Sequence, residues 1–207
     1  MGEREVIQEA ETLEEARKLA FASLGVPSEI IKVEILQNPS RGILGFGKKN
    51  AKIKAVIDFN AADEITKFLE NLFSVMEVSL TIKISKNNSK GIKINLFGED
   101  AKVIIGKQGT TLDALERLCS LVANRHSSLP KVSVKLDAEG YRNKRIDGLV
   151  VITKAHALEV IKTGKPKKLE PMNKIERRVV HNALQKLDVV TKSKGEDPKR
   201  YITIYKK

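Results

Sequence analysis

Three short stretches hold residue types that could do chemistry: GILGFGKK at Gly42–Lys49, GKQG at Gly106–Gly109, and the pair Arg177 and His181. The first reads as G-x-x-x-x-G-K, the opening of a loop that cradles nucleotide phosphates. Such a loop must follow a strand and open a helix, because the helix N-terminus supplies the amides and dipole that hold the anion. Here it is followed by AKIKAVIDF, in which Ile53, Ala55 and Ile57 alternate with Lys52, Lys54, Val56 and Asp58 as in a strand. The position that should carry a magnesium-binding hydroxyl is Lys49, and no apolar run ending in Asp follows. The pattern therefore argues against nucleotide hydrolysis. It predicts a glycine-bent hairpin tip presenting Arg41, Lys48 and Lys49 to a partner or a polyanion. No carboxylate pair sits in a recognisable catalytic block. Cys119 falls on the apolar stripe of a helix, and one thiol with three His offers no metal-ligand spacing. The expectation is a non-catalytic chain with no metal and no cofactor.

The other two stretches suit an anionic ligand. Gly106-Lys107-Gln108-Gly109 lies between a short helical EDAKVII and the Leu-striped TTLDALERL. Glycines at both ends let the backbone turn tightly and come close to a ligand. The next helix starts at Thr110 or Thr111, so its free N–H groups should point into the loop and favour a phosphate. Lys107 adds charge. With aromatics at only 4%, bases would lie in an aliphatic groove of Val103, Ile104, Ile105 and Leu112. Arg177 and His181 are four apart in NKIERRVVHNALQKL, so they share one helix face. Arg can fork onto a phosphate with His packed beside it; a solvated Arg beside a half-exposed His is the plainer alternative. Ile175, Val179, Ala183 and Leu187, with Val180 and Leu184 nearby, are expected to face the core. The SKGEDPKR turn adds Lys199 and Arg200.

These residues need elements to position them, and three modules separate by pattern. In residues 1–58, TLEEARKLAFASLG reads as a helix with Thr12 and Glu15 as a capping box and Gly25 as its stop. Leu13, Ala16, Leu19, Ala20 and Ser23 form its face; a short strand REVIQEA precedes it, and strands IKVEIL and AKIKAVIDF follow. This gives β-α-β-β. In residues 61–138, Ile65, Phe68, Leu69, Leu72, Phe73 and Met76 mark an amphipathic helix. Alternating Val78–Ile84 and Ile92–Leu96 form a hairpin around NNSKG. A short helix, the GKQG loop, and a helix striped by Leu112, Leu115, Leu118, Cys119 and Val122 come next. A strand at Val132–Leu136 closes the order αββααβ. Residues 139–207 give a helix, a Gly/Pro/Lys stretch, a helix capped by Asn173 and Glu176, and two strands about a Gly/Pro turn. The fold class is α+β, three small modules, the last combining helices with a small sheet.

Charge is uneven along the chain. Residues 1–60 hold nine basic and nine acidic side chains, residues 61–138 eleven and nine, and residues 139–207 eighteen and eight, which recovers the net +12. A basic third on a near-neutral remainder points to a polyanion partner, most simply nucleic acid; a solubilising surface or an anionic membrane contact is the alternative. The N-terminus is acidic and lacks the apolar core of a signal peptide. The longest apolar run, LVVIT, falls far short of the roughly 20 residues of a membrane span. One Cys fits a reducing cytoplasm.

GKQG within αββααβ resembles the GXXG loop of a type II-like K-homology (KH) domain, which clamps the backbone of a single strand. Arg-x-x-x-His on a capped helix resembles the R-three-H domain, a small single-stranded nucleic-acid binder. Behind a module carrying GFGKK, and with TGKP, EPMN, ERRVVHNAL and GEDPKR in order, the chain closely resembles the bacterial Jag/KhpB family of SpoIIIJ-associated proteins over its whole length. The resemblance implies a Jag-N module at 1–58, a KH domain at 61–138, and a linker helix with the R-three-H domain at 139–207. It implies cytoplasmic binding of single-stranded RNA, with single-stranded DNA and a homodimer left open. A small KH-only partner protein, a YidC-type membrane insertase, and roles in cell elongation, division or sporulation are also implied. The contacting residues would be Gly106, Lys107, Gln108 and Gly109 with Ile104 and Ile105, and Arg177 and His181 with Lys199 and Arg200. A scaffold at the insertase or an anionic membrane is the competing implication.

Overall fold

A computed structural model describes residues 5–40, 48–88 and 91–207. Packing divides the chain into two compact units, Met1–Leu96 with Asp113–Leu136, and Phe97–Leu112 with Asp137–Lys207.

The first unit begins with β1 (Glu5–Ala10), α1 (Leu13–Leu24), β2 (Ile31–Gln37) and β3 (Ala51–Ile57). The strands form an antiparallel sheet in the order β1-β3-β2. Ile53 and Ala55 of β3 pack against Ala16, Ala20 and Leu24 of α1. Two alanines on one helical row let the helix sit close to the sheet. Leu19, expected in that stripe, is instead exposed, because 16, 20 and 24 set a narrower face than the sequence pattern suggests. The Thr12 hydroxyl accepts the Glu15 N–H at 3.2 Å, and Gly25 ends the helix at φ +63°. Ser40 and Lys49 exchange two backbone bonds of 2.9 Å and close the neck of the β2–β3 hairpin. The glycine stretch thus leads from strand to strand, as expected; Arg41 and residues 42–47 lie outside the described residues.

The same unit holds α2 (Ala61–Val75), β4 (Thr81–Asn88), β5 (Gly91–Phe97), most of α4 (Thr110–Ala123) and β6 (Val134–Ala138). The sheet order is β4-β5-β6. Asn60 caps α2, its side chain accepting the Ala62 N–H at 3.1 Å. Buried side chains are Ile65, Leu69 and Phe73 of α2, Ile92, Ile94 and Leu96 of β5, Leu115, Cys119 and Ala123 of α4, and Val134 and Leu136 of β6. The α4 stripe runs 112, 115, 119, 123, so Leu118, expected inside, is 46% exposed. With α3 (Ala101–Ile105) between β5 and α4, the chain order is the expected αββααβ.

The second unit adds α5 (Tyr141–Thr163), β7 (Lys167–Pro171), α6 (Lys174–Leu184), β8 (Val189–Lys194) and β9 (Tyr201–Lys206). The sheet is antiparallel, in the order β7-β9-β8. Leu149, Ala157 and Val160 of α5, Val180 and Leu184 of α6, and Leu169, Val189, Ile202 and Ile204 of the sheet form its core. Strand β7 falls where the sequence suggested only a Gly/Pro/Lys stretch. It is an edge strand, where a lysine run stays solvated and Pro171 costs no ladder bond. The Asn173/Glu176 capping box is present in full. The buried face of α6 differs from expectation. It carries Glu176, Arg177, Val180 and Leu184, whereas Ile175 is 63% exposed. The two ionic residues can go inside because each has a partner there: Glu176 Oε1 accepts Arg145 Nε at 2.9 Å, and Arg177 Nη1 donates to the Met172 carbonyl at 2.8 Å.

Candidate nucleic-acid interface

The GKQG stretch is a single tight turn between α3 and α4, spanning Lys107–Gly109. Gly106 takes φ +68°, and a Cβ there would fall 2.0 Å from Thr111 Oγ1. Gly109 takes φ +81°, and a Cβ there would fall 2.8 Å from Tyr141 Cε1. Both positions therefore require glycine, for backbone angle and for space. Lys107 is exposed and forms no ion pair among the described residues. The Thr110 N–H is bonded to the Lys107 carbonyl, so it is not the free anion donor that the sequence suggested. Gln108, at φ +55°, donates from Nε2 to Glu170 Oε2 at 2.6 Å. Ile104 is 1% exposed and Leu112 is fully buried, so both belong to the core and have no surface for a base. Val103 is exposed and Ile105 half-buried; these two are the aliphatic surface that remains of the expected groove.

The second site is an open concavity of about 480 Å³ lined by Lys174, Arg177, Arg178, His181, Ser193, Asp197 and Arg200. Lys174, Arg177, Arg178 and His181 stand at i, i+3, i+4 and i+7, a basic helix stripe. Arg177 is anchored at its rear: Nη1 donates to the Met172 carbonyl and to Asp197 Oδ1, 2.9 Å away. It is a structural residue that also shows an edge to the concavity, not the solvated side chain of the plainer reading. His181 Nδ1 lies 2.6 Å from Thr191 Oγ1. Burial first, and the Arg177 charge second, hold its imidazole below the ordinary range, so it is neutral near pH 7. Arg200 Nε donates to Ser193 Oγ at 3.1 Å, fixing it on the rim. Lys199 is exposed and does not line the concavity. Sequence reasoning missed Lys174, Arg178, Ser193 and Asp197. The first two were legible, since they complete the helical stripe with Arg177 and His181.

The third expected site is weaker. Lys48 Nζ sits 2.7 Å from Glu11 Oε1, and this hydrogen bond holds the Glu11 carboxyl below its usual range. Lys49 is exposed beside its backbone bridge, and Arg41 lies outside the described residues. Among the described residues no three His, Cys, Asp or Glu side chains gather as a metal site. Burial pushes the Cys119 thiol up to about 12, which makes it a poor nucleophile. Among the described residues no helix is long and apolar enough to cross a membrane.

Three family models match consecutive parts of the chain: the Jag N-terminus at residues 8–57, the KhpA/KhpB KH domain at 62–136 and the R-three-H domain at 149–206. A protein of Clostridium symbiosum named RNA-binding protein KhpB is 41% identical over 197 residues, 94% of this chain and 88% of that one. Its namesake in Bacillus subtilis is 31% identical over 205 residues, 97% of this chain and 98% of its own length. A third, from Lactiplantibacillus plantarum, is 38% identical over 103 residues, 49% of this chain and 32% of that one. These relatives are named as binding proteins and not as enzymes, in line with the non-catalytic expectation. At these identities over nearly the full length of the first two, the chain belongs to the KhpB family.

Proposed function

We propose that the chain is a non-catalytic binder of single-stranded RNA that grips the phosphate backbone at the GKQG turn and at the α6 concavity. The concavity carries the reading. It gathers Lys174, Arg177, Arg178 and Arg200 against one carboxylate, Asp197, on a rigid helix and sheet. Arg177 is held before any ligand arrives, so little side-chain freedom is lost on binding. The names of the relatives supply RNA as the polyanion. Lys107 supplies charge at the turn, and Val103 and Ile105 a small apolar surface for a base. Each site alone would be weak, and the chain that joins them raises the effective concentration of one for a strand held by the other. Boundaries at 1–58, 61–138 and 139–207 are part of this proposal. So is the family's regulatory setting: a cytoplasmic role in cell elongation, division or sporulation, with a KH-only partner protein or a second copy. The scaffold reading, at a YidC-type insertase or an anionic membrane, draws on the exposed Lys162 at the end of α5, Lys165 after it and Lys168 on β7, and on Lys48 and Lys49.

The test is fluorescence anisotropy of a short labelled RNA across a salt series. Wild type is compared with Lys107→Asp/Gln108→Asp and with Lys174→Gln/Arg178→Gln. Asp tolerates the left-handed angle at 108. Each lost phosphate contact should flatten the slope of log affinity against log salt by about 0.7, so the α6 pair should flatten it by about 1.4. Undiminished binding in both variants would remove the assigned sites. No RNA binding, with binding to anionic vesicles, would establish the scaffold reading instead.

A further inference from the structure

The sheet of the second unit has one face in the core and one face that neither α5 nor α6 covers. Along β9, Ile202 and Ile204 point into the core, so Tyr201, Thr203 and Tyr205 point the other way. The antiparallel register places Lys194 opposite Tyr201 and Lys192 opposite Thr203, with Lys168 of β7 opposite Thr203 on its other side. All six residues therefore share the outer face. Lys168 Nζ lies 4.2 Å from the Tyr201 ring centre. Lys194 Nζ and Lys192 Nζ lie 5.2 Å and 5.9 Å from the Tyr205 ring centre, and Lys194 also donates to the Tyr205 hydroxyl at 2.6 Å.

We propose that this outer face, distinct from the α6 concavity, is a stacking platform for the bases of a single RNA strand, with Tyr201 and Tyr205 as base contacts and Lys168, Lys192 and Lys194 as phosphate contacts. The proposal rests on the RNA-binding reading above. A solvated sheet face usually mixes charges, but each charged residue registered against the outward side chains of β9 is a lysine. The two rings are four residues apart on one strand, about 13 Å, which gives each its own base. An exposed ammonium over a ring is held more weakly than a stacked base. A base can therefore displace it, and the long lysine stem lets the ammonium swing to the adjoining phosphate. Two of the nine aromatic residues of the chain thus stand, half-buried, on the central strand of the sheet and are flanked by cations, the combination that holds single strands without sequence preference.

The chain has no tryptophan, and of its three tyrosines Tyr201 and Tyr205 lie on this face while Tyr141 lies beside Gly109 of the GKQG turn, so in a Tyr141→Phe background the ultraviolet emission reports directly on this face. RNA should quench tyrosine emission in the full-length Tyr141→Phe chain, and an abasic ribose-phosphate strand of equal length should quench it much less and bind more weakly. Tyr201→Val/Tyr205→Val keeps good strand formers and should weaken RNA binding by about 5- to 150-fold per stacked base, bringing the affinity for RNA closer to that for the abasic strand. Should that variant misfold, Lys168→Gln/Lys192→Gln/Lys194→Gln serves instead, with an expected flattening of the salt slope of about 2. RNA binding that these variants leave intact, with no quenching, overturns the platform while the RNA reading stands. Absence of RNA binding by the wild type overturns both.

Discussion

Replacing Arg177 separates its structural role from its role toward a ligand. The side chain is 9% exposed, and Nη1 makes two bonds of unequal worth. The bond to the Met172 carbonyl is buried and charge-assisted, worth about 1.5–3 kcal/mol, and its loss strands that carbonyl. The pair with Asp197 has a carboxylate 66% exposed, so solvent screening leaves it about 0–1 kcal/mol. Arg177→Ala should therefore cost about 2–4 kcal/mol once the packing of its stem is included, and Asp197→Asn less than about 1 kcal/mol. All three tyrosines lie in the second unit, so a urea titration followed by tyrosine emission reads this unit alone. With a urea slope of about 2 kcal/mol per molar, Arg177→Ala should lower the midpoint by about 1–2 M. Asp197→Asn should barely move it. Equal losses in the two variants, or a loss below about 1 kcal/mol in Arg177→Ala, would refute the view of Arg177 as an internal anchor.

Gly106→Ala should destabilise by more than about 2 kcal/mol, from the left-handed angle and the overlap with Thr111; Gly164→Ala, at φ +69° with nothing within 4 Å, should cost only about 1 kcal/mol. The same urea titration compares them. His181 has its folded-state titration lowered, so its contribution is present above the ordinary histidine range and lost as pH falls from about 6.5 through the folded value. Midpoints should drop over that window in wild type and drop less in His181→Gln. Cys119 should react with a thiol reagent only in denaturant, given its burial and a thiol pushed up to about 12; rapid labelling of the native protein would contradict its place in the α4 stripe.

Element order was legible because long stretches keep one period: α2 and β5 are where their apolar spacing puts them. The capping pair Asn173/Glu176 was equally readable, since it is local chemistry. The face of α6 was not. Counting Ile175, Val179 and Ala183 as inward follows hydrophobicity alone, but Arg177 finds a buried partner in the Met172 carbonyl five residues back, and Glu176 one in Arg145, which the sequence does not show to be near. The spacing already puts Lys174, Arg177, Arg178 and His181 on one side of the helix; its rotation turns that side toward Ser193, Asp197 and Arg200. Strand β7 escaped because an edge strand needs neither alternation nor a full set of N–H groups. The tyrosine face escaped because an aromatic content of 4% says nothing of where the rings fall; only the register of β8 against β9 puts them with lysines.

The most direct test of the central claim is a nuclear magnetic resonance titration of the full-length, nitrogen-labelled chain with a short single-stranded RNA. The amides of Gly106–Gly109 should shift together with those of α6 and its facing residues Ser193 and Arg200. Shifts confined to the module at 1–58, or no shift at either site at saturating RNA, would contradict it.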